Sequence, residues 1–179
     1  MATPTKAPIT CHILDTNQGQ PARNVRVRLE LTPSTPSFPP TTTTTTSTST
    51  TTTTGSTTTG PEDSSGAGAS TSNNDKHPTG LPVIFESSTD DDGRVKAWLP
   101  YSSPRSGGEV PVYTLEDVLG DIRGRSRWTL RFDTGGYFAA QARDTFFPEV
   151  TVVFEVAEGQ HYHVPLLLAP FSYSTYRGS

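Results

Sequence analysis

Apolar residues recur at every second position in several short runs of this chain. Ile9, Cys11 and Ile13 alternate with Thr10, His12 and Leu14, and Val25, Val27, Leu29 and Leu31 alternate with Arg26, Arg28 and Glu30. Trp128, Leu130 and Phe132 alternate with Thr129, Arg131 and Asp133, and Val150, Val152, Phe154 and Val156 repeat the pattern. A period of two puts one set of side chains on one face of a strand, so each run predicts a half-buried strand. Leu81–Ser87 and Arg94–Leu99 predict two more, joined by the turn Asp90-Asp-Asp-Gly93. In the stretch His161–Ser179, the residues His161, His163, Pro165 and Leu167 fall on one face and Tyr162, Val164, Leu166 and Leu168 on the other. The pattern therefore predicts that the imidazoles of His161 and His163 stand side by side. Gly135–Arg143, with Ala139, Ala140 and Ala142, predicts a helix of only a few turns. Tyr113–Gly124 reads equally as a short helix or as irregular chain. Many short alternating strands with turn signals between them predict an all-β, two-sheet antiparallel sandwich or a barrel, with one short helix.

One segment breaks the pattern. Residues 33–80 are almost entirely Thr, Ser, Pro and Gly, with too little apolar surface to offset the entropy of ordering. The composition predicts a disordered insert within a single domain formed by residues 1–32 and 81–179. A fold tolerates such a loop because closure costs only about 0.6 kcal/mol per doubling of its length. A glycosylated Thr-rich stalk is the other reading of this composition and requires secretion.

The 179 residues carry a formal charge of −4, which gives no electrostatic reason to expect nucleic acid as a partner. The single cysteine, Cys11, forms no internal disulfide and fits a reducing compartment. No apolar run is long enough to span a membrane, and the first residues lack a signal-peptide pattern. A cytoplasmic protein without membrane or nucleic-acid partners is the expectation. A peroxisomal location is the alternative, although the chain closes on Arg177-Gly-Ser179 rather than Ser-Lys-Leu.

The histidine strand admits three chemical readings. Its imidazoles are polar groups on a wet face, or two ligands of a metal with His12 as a third, or a metal-free acid/base pair titrating near neutrality. Arg94 follows Asp92-Gly93; it is either an exposed residue after a hairpin turn or a planar fork able to grip a flat, carbonyl-rich ring. Gly107-Gly108 and Gly135-Gly136 lack phosphate-loop spacing. Arg123, Arg125 and Arg127 read as a solvated face.

Three separated stretches add to this picture: Thr10-Cys-His-Ile-Leu-Asp-Thr-Asn-Gln-Gly-Gln-Pro-Ala22, Thr89-Asp-Asp-Asp-Gly-Arg-Val95, and His161-Tyr-His-Val-Pro-Leu-Leu-Leu168 with its terminal Tyr176-Arg-Gly-Ser179. In this order they resemble the signatures of the 5-hydroxyisourate hydrolases, the transthyretin-related enzymes of urate breakdown. Ala169 stands where a Ser is expected in that family's turn. The resemblance implies a transthyretin-like sandwich of roughly eight strands, assembled as a homotetramer, a dimer of dimers, with sites in the channel between dimers. It implies hydrolysis of 5-hydroxyisourate to 2-oxo-4-hydroxy-4-carboxy-5-ureidoimidazoline, with no cofactor and no metal. The family's functional positions fall on His12, Arg94, His163 and the tail Tyr176-Arg177-Gly178-Ser179. His12, Arg94, His163 and Ser179 are then expected to be catalytic. His12, Arg94, Tyr176 and Arg177 are expected to bind substrate, and His161 is a supporting residue. Transthyretin itself carries a hormone in the corresponding channel, but carriage would favour an apolar lining and would not need these groups together.

Overall fold

The alternating runs become the strands of a sandwich. The computed structural model describes residues 7–32, 83–101 and 112–178, so the insert predicted over 33–80 lies outside the described residues. In chain order the elements are β1 (Ile9–Asp15), β2 (Gln20–Pro21), β3 (Arg26–Thr32), β4 (Ile84–Ser88), β5 (Arg94–Val95), β6 (Leu99–Pro100), α1 (Leu115–Asp121), β7 (Arg125–Phe132), α2 (Thr134–Ala139), β8 (Val150–Ala157), β9 (Tyr162–Ala169) and β10 (Ser172–Thr175). One sheet runs β10-β9-β1-β2, with β5 also paired to β1, and the other runs β6-β4-β3-β7-β8. Ile9, Cys11, Ile13, Val164, Leu166 and Leu168 of the first sheet are buried in one core with Val27, Leu29, Phe85, Trp128, Leu130 and Phe132 of the second. The period-two pattern therefore assigned the buried face correctly in both sheets, and the all-β two-sheet sandwich stands.

Three features differ from the sequence expectation, each for a physical reason. First, β1 and β9 run parallel, pairing Ile9 with Tyr162 through to Asp15 with Leu168, within an otherwise antiparallel set of pairings. Alternation reports the face of a side chain but not the direction of its strand; a parallel neighbour needs a long connection, which the intervening chain supplies. Second, the run Arg94–Leu99 is not one strand. Its start, β5, pairs with β1, and its end, β6, pairs with β4 in the other sheet. Between them the chain crosses the core, with the Trp98 indole N–H donating to the Ile9 carbonyl at 2.7 Å. Third, there are two short helices. Thr114 caps α1 by accepting from the Asp117 backbone N–H, while the Asp117 carboxylate accepts from the Thr114 N–H, and this reciprocal cap satisfies donors that would otherwise be orphaned. Leu115 and Val118, one turn apart, are its buried face. In α2 the Asp133 carboxylate accepts from the Gly136 N–H at 2.8 Å.

The turn before β5 fixes where Arg94 goes. Asp90 Oδ1 accepts from the backbone N–H groups of Asp92 and Arg94, at 3.0 and 2.8 Å, an Asx arrangement that mimics a backbone turn. Gly93 then adopts φ +68°, and a Cβ there would lie 2.5 Å from the Ile13 carbonyl oxygen. The Gly93 carbonyl itself accepts from the Ile13 N–H at 2.8 Å, so the turn is clamped against β1. Gly93→Ala is expected to destabilise the fold by about 1–3 kcal/mol, from the left-handed backbone and the backbone collision together. The check is urea unfolding, in which the midpoint falls with an unchanged slope; an unchanged midpoint would mean that the turn tolerates a side chain.

Candidate active site

Three neighbouring strands bring the candidate residues into a row on the outer face of the first sheet. On β1 the residues opposite the buried Ile9, Cys11 and Ile13 are Thr10, His12 and Leu14. On one side, the register of β5 sets Arg94 directly across from His12. On the other, the parallel register of β9 sets His163 across from Thr10, within the spacing of adjacent strands. The result is a contact between two imidazoles: His12 Nδ1 lies 2.7 Å from His163 Nε2, and the rings stack with centroids 4.9 Å apart and planes 21° from parallel. His163 Nδ1 is in turn 2.8 Å from Thr10 Oγ1.

Charge and burial keep this pair poised. The His12 pKa is lowered first by burial and then by the nearby positive charge of Arg94, so its neutral form, the one able to accept a proton, is favoured. Arg94 is exposed, and among the described residues no carboxylate pairs with its guanidinium. Its neighbours behave differently: Asp90 is engaged by Lys96 at 2.6 Å, and Arg23 lies 3.7 Å from Asp91. A cation held beside a neutral imidazole and left without an anion suits an anionic or carbonyl-rich ligand. A cleft of about 580 Å³ opens elsewhere, on the outer face of the second sheet. There Arg26 is bonded to Asp133, and Arg131 to Glu30 and Glu149, so these guanidiniums, unlike that of Arg94, already hold carboxylates.

The remaining candidates are placed unequally. The tail runs back along β9, with the Gly178 N–H donating to the His163 carbonyl at 2.8 Å. A Cβ on Gly178 would lie 2.8 Å from His163 Cδ2 and 3.1 Å from its carbonyl oxygen, so only glycine lets the tail approach this closely. Tyr176 is 53% exposed and two residues from that contact. Arg177, expected to bind substrate, has its guanidinium 5.0 Å over the ring of Tyr162, a residue packed against the core. Ser179 lies outside the described residues. The expected pairing of His161 with His163 is corrected. His161 precedes β9, is exposed, and borders a cleft with Pro8, Gln160 and Leu119; the imidazole beside His163 is His12. Among the described residues no group of three or more His, Cys, Asp and Glu could hold a metal ion. Thr10 was missed, although its place two residues before His12 put it on the histidine face.

A sandwich carrying this imidazole pair and arginine can be compared with known proteins. The chain matches the model of the HIUase/Transthyretin family over residues 9–69 and 67–178. It belongs to that family. It is similar to a probable 5-hydroxyisourate hydrolase of Schizosaccharomyces pombe, 35% identical over 106 residues, which cover 59% of this chain and 71% of that protein. It is also similar to the 5-hydroxyisourate hydrolase of Salmonella dublin, 39% identical over 105 residues, which cover 58% of this chain and 63% of that enzyme. Among solved structures, transthyretin from Sparus aurata superposes with a TM-score of 0.53 at 20% identity, covering 96% of each chain, a likeness of fold.

The electrostatic origin of the His12 shift is open to measurement. Replacing Arg94 by Ala removes the positive charge but leaves the burial, so the His12 pKa is expected to rise part of the way toward its ordinary value of about 6.5. Titration followed by NMR of the imidazole carbons checks this; an unmoved pKa would show that Arg94 does not act on the imidazole.

Proposed function

We propose that this chain hydrolyses 5-hydroxyisourate to 2-oxo-4-hydroxy-4-carboxy-5-ureidoimidazoline, a step of urate breakdown, using imidazoles and a guanidinium without a cofactor. The observation that carries the proposal is the 2.7 Å contact of His12 with His163 directly beside Arg94, in a chain related to proteins named for this activity. A cyclic amide is opened when water attacks the carbonyl carbon, the C–N bond breaks, and the departing nitrogen takes up a proton. The water must lose a proton as it attacks. The His12–His163 pair accepts that proton, a contribution typically of about 10²–10⁴-fold, and returns it to the leaving nitrogen. Negative charge develops on the carbonyl oxygen, and Arg94 stabilises it while holding the planar ring, worth about 10²–10³-fold by analogy with other oxyanion donors. In this proposal Tyr176 and Ser179 supply hydrogen bonds to the substrate, and the Gly178 N–H pins the tail to the His163 carbonyl.

A homotetramer fits the same picture. β8 and β10 end their sheets, and Val153 and Tyr173 on these edges are 58% and 40% exposed. Open edges and exposed apolar groups invite pairing with a second copy across a two-fold axis. The outer face of the first sheet would then line a channel with paired sites.

Purified protein added to freshly generated 5-hydroxyisourate is expected to speed its ultraviolet decay well above the spontaneous rate. His12→Ala, His163→Ala and Arg94→Ala should each slow turnover by about 10²-fold or more without changing the oligomer, and a chelator should leave the rate unchanged. Wild-type protein that does not speed the decay, or activity lost to chelation and restored by zinc, would refute the proposal. A further expectation concerns the tail: deleting Tyr176–Ser179 should remove most of the activity while the sandwich stays folded by circular dichroism, since displacement of about 1 Å in a site can cost 10²-fold. Full activity after deletion would make the tail structural.

A further inference from the structure

Thr10 is 3% exposed, yet it stands on the strand face that carries His12. Its Oγ1 lies 2.8 Å from His163 Nδ1 and 3.5 Å from the carbonyl oxygen of Tyr162. His163 therefore spends both ring nitrogens inside the protein, Nδ1 on Thr10 and Nε2 on His12 Nδ1. His12 Nε2 has no partner among the described residues, so it is the nitrogen left for a ligand or water.

A neutral imidazole has one N–H and one lone pair, so each contact in this chain dictates the next. If the Thr10 hydroxyl donates to the Tyr162 carbonyl, its oxygen accepts the proton of His163 Nδ1–H. His163 Nε2 is then a lone pair, which requires an N–H on His12 Nδ1, and His12 Nε2 is left with a lone pair. If the hydroxyl instead donated to His163 Nδ1, the order would reverse, and His12 would present an N–H outward with no lone pair to accept a proton. The Tyr162 carbonyl favours the first order, because only there does the buried hydroxyl use both of its contacts, donating to the carbonyl and accepting from His163 Nδ1–H. We infer that Thr10 is a positioning residue: by accepting from His163 Nδ1 it sets the tautomers of both histidines and leaves His12 Nε2 as the atom that takes the proton from water. The inference rests on the hydrolase proposal for its kinetic consequence but not for the tautomers themselves.

Wild-type, Thr10→Val, Thr10→Ala and Thr10→Ser proteins labelled with ¹⁵N-histidine distinguish the possibilities. Val keeps the branched shape without the hydroxyl, and Ser keeps the hydroxyl. In ligand-free wild-type protein, at a pH where both rings are neutral, long-range ¹H–¹⁵N spectra are expected to show His163 and His12 both protonated at Nδ1. Val and Ala should release the His163 tautomer, and Ser should restore it. In the decay assay, Val should lower kcat on the order of 10²-fold with KM little changed, whereas Ser should approach wild type. A His163 protonated at Nε2 in wild-type protein overturns the inference at once, whether or not the variants fold. A Val variant with wild-type tautomers and kcat overturns it as well, and a Ser variant as slow as Val would make Thr10 a packing residue. Absence of hydrolysis by wild-type protein would defeat the hydrolase proposal alone, since the spectra decide the role of Thr10 without substrate.

Discussion

The parallel ladder between β1 and β9 is the constraint on which the site depends. It is held at both ends: the Tyr162 N–H donates to the Pro8 carbonyl at 2.7 Å and the Thr16 N–H to the Leu168 carbonyl at 2.8 Å. Its register sets Thr10 opposite His163, and the row Thr10, His163, His12 follows from it. A slip of one residue would turn every β9 side chain to the other face. It would bury His163 in place of Val164 or Leu166, which are buried in the core, so apolar burial across the sandwich enforces the alignment that the histidines need.

A second brace secures the end of β1. Asp15 is fully buried and accepts hydrogen bonds from Arg143 at 2.6 Å and from the Tyr137 hydroxyl at 3.0 Å. It also accepts from the backbone N–H groups of Asn17 and Gln18, at 3.0 and 3.1 Å. Burial alone would raise its pKa, but these donors outweigh burial and lower it. The ionised carboxylate thus ties the strand, the loop that follows it and α2 together. Its stabilising effect is present above the ordinary carboxylate pKa and is lost as pH falls through the lowered value. Of the two site histidines, His12 lies on this strand and His163 on β9, so the network anchors the strand that carries His12.

The proposed chemistry draws on contrasts between neighbours. Lys96 is engaged by Asp90 and Asp92, and Arg26, Arg123, Arg125 and Arg131 each hold a carboxylate on the second sheet or its loops. Such exposed pairs add little stability, but they occupy cations that would otherwise compete for an anionic ligand. Arg94 is placed by a turn, with no ion pair among the described residues, and its position beside a half-buried His12 lets its charge act on the imidazole and, in the proposed function, on the substrate as well.

The sequence by itself determined which faces are buried, because alternation in Ile9–Ile13, Val25–Leu31, Trp128–Phe132 and Val150–Val156 matches the period of a strand. It also supplied His12, Arg94 and His163 as candidates, through residue type and the resemblance of three motifs. Even α1 was legible in hindsight, since Thr114 and Asp117 have the spacing of a reciprocal cap. Only the tertiary structure decided what stands next to what. His163 meets His12 and Thr10 across 151 and 153 residues of chain, and neither distance nor direction is encoded in a local pattern. The expected neighbour, His161, has the right spacing but falls before the strand begins. Arg177 lies in a matching motif yet stacks on Tyr162, because the tail's path along β9 sets where its guanidinium reaches. A period of two says which way a side chain points, whereas the partner it finds is set by strand direction and register, which depend on how the two sheets close on their common core.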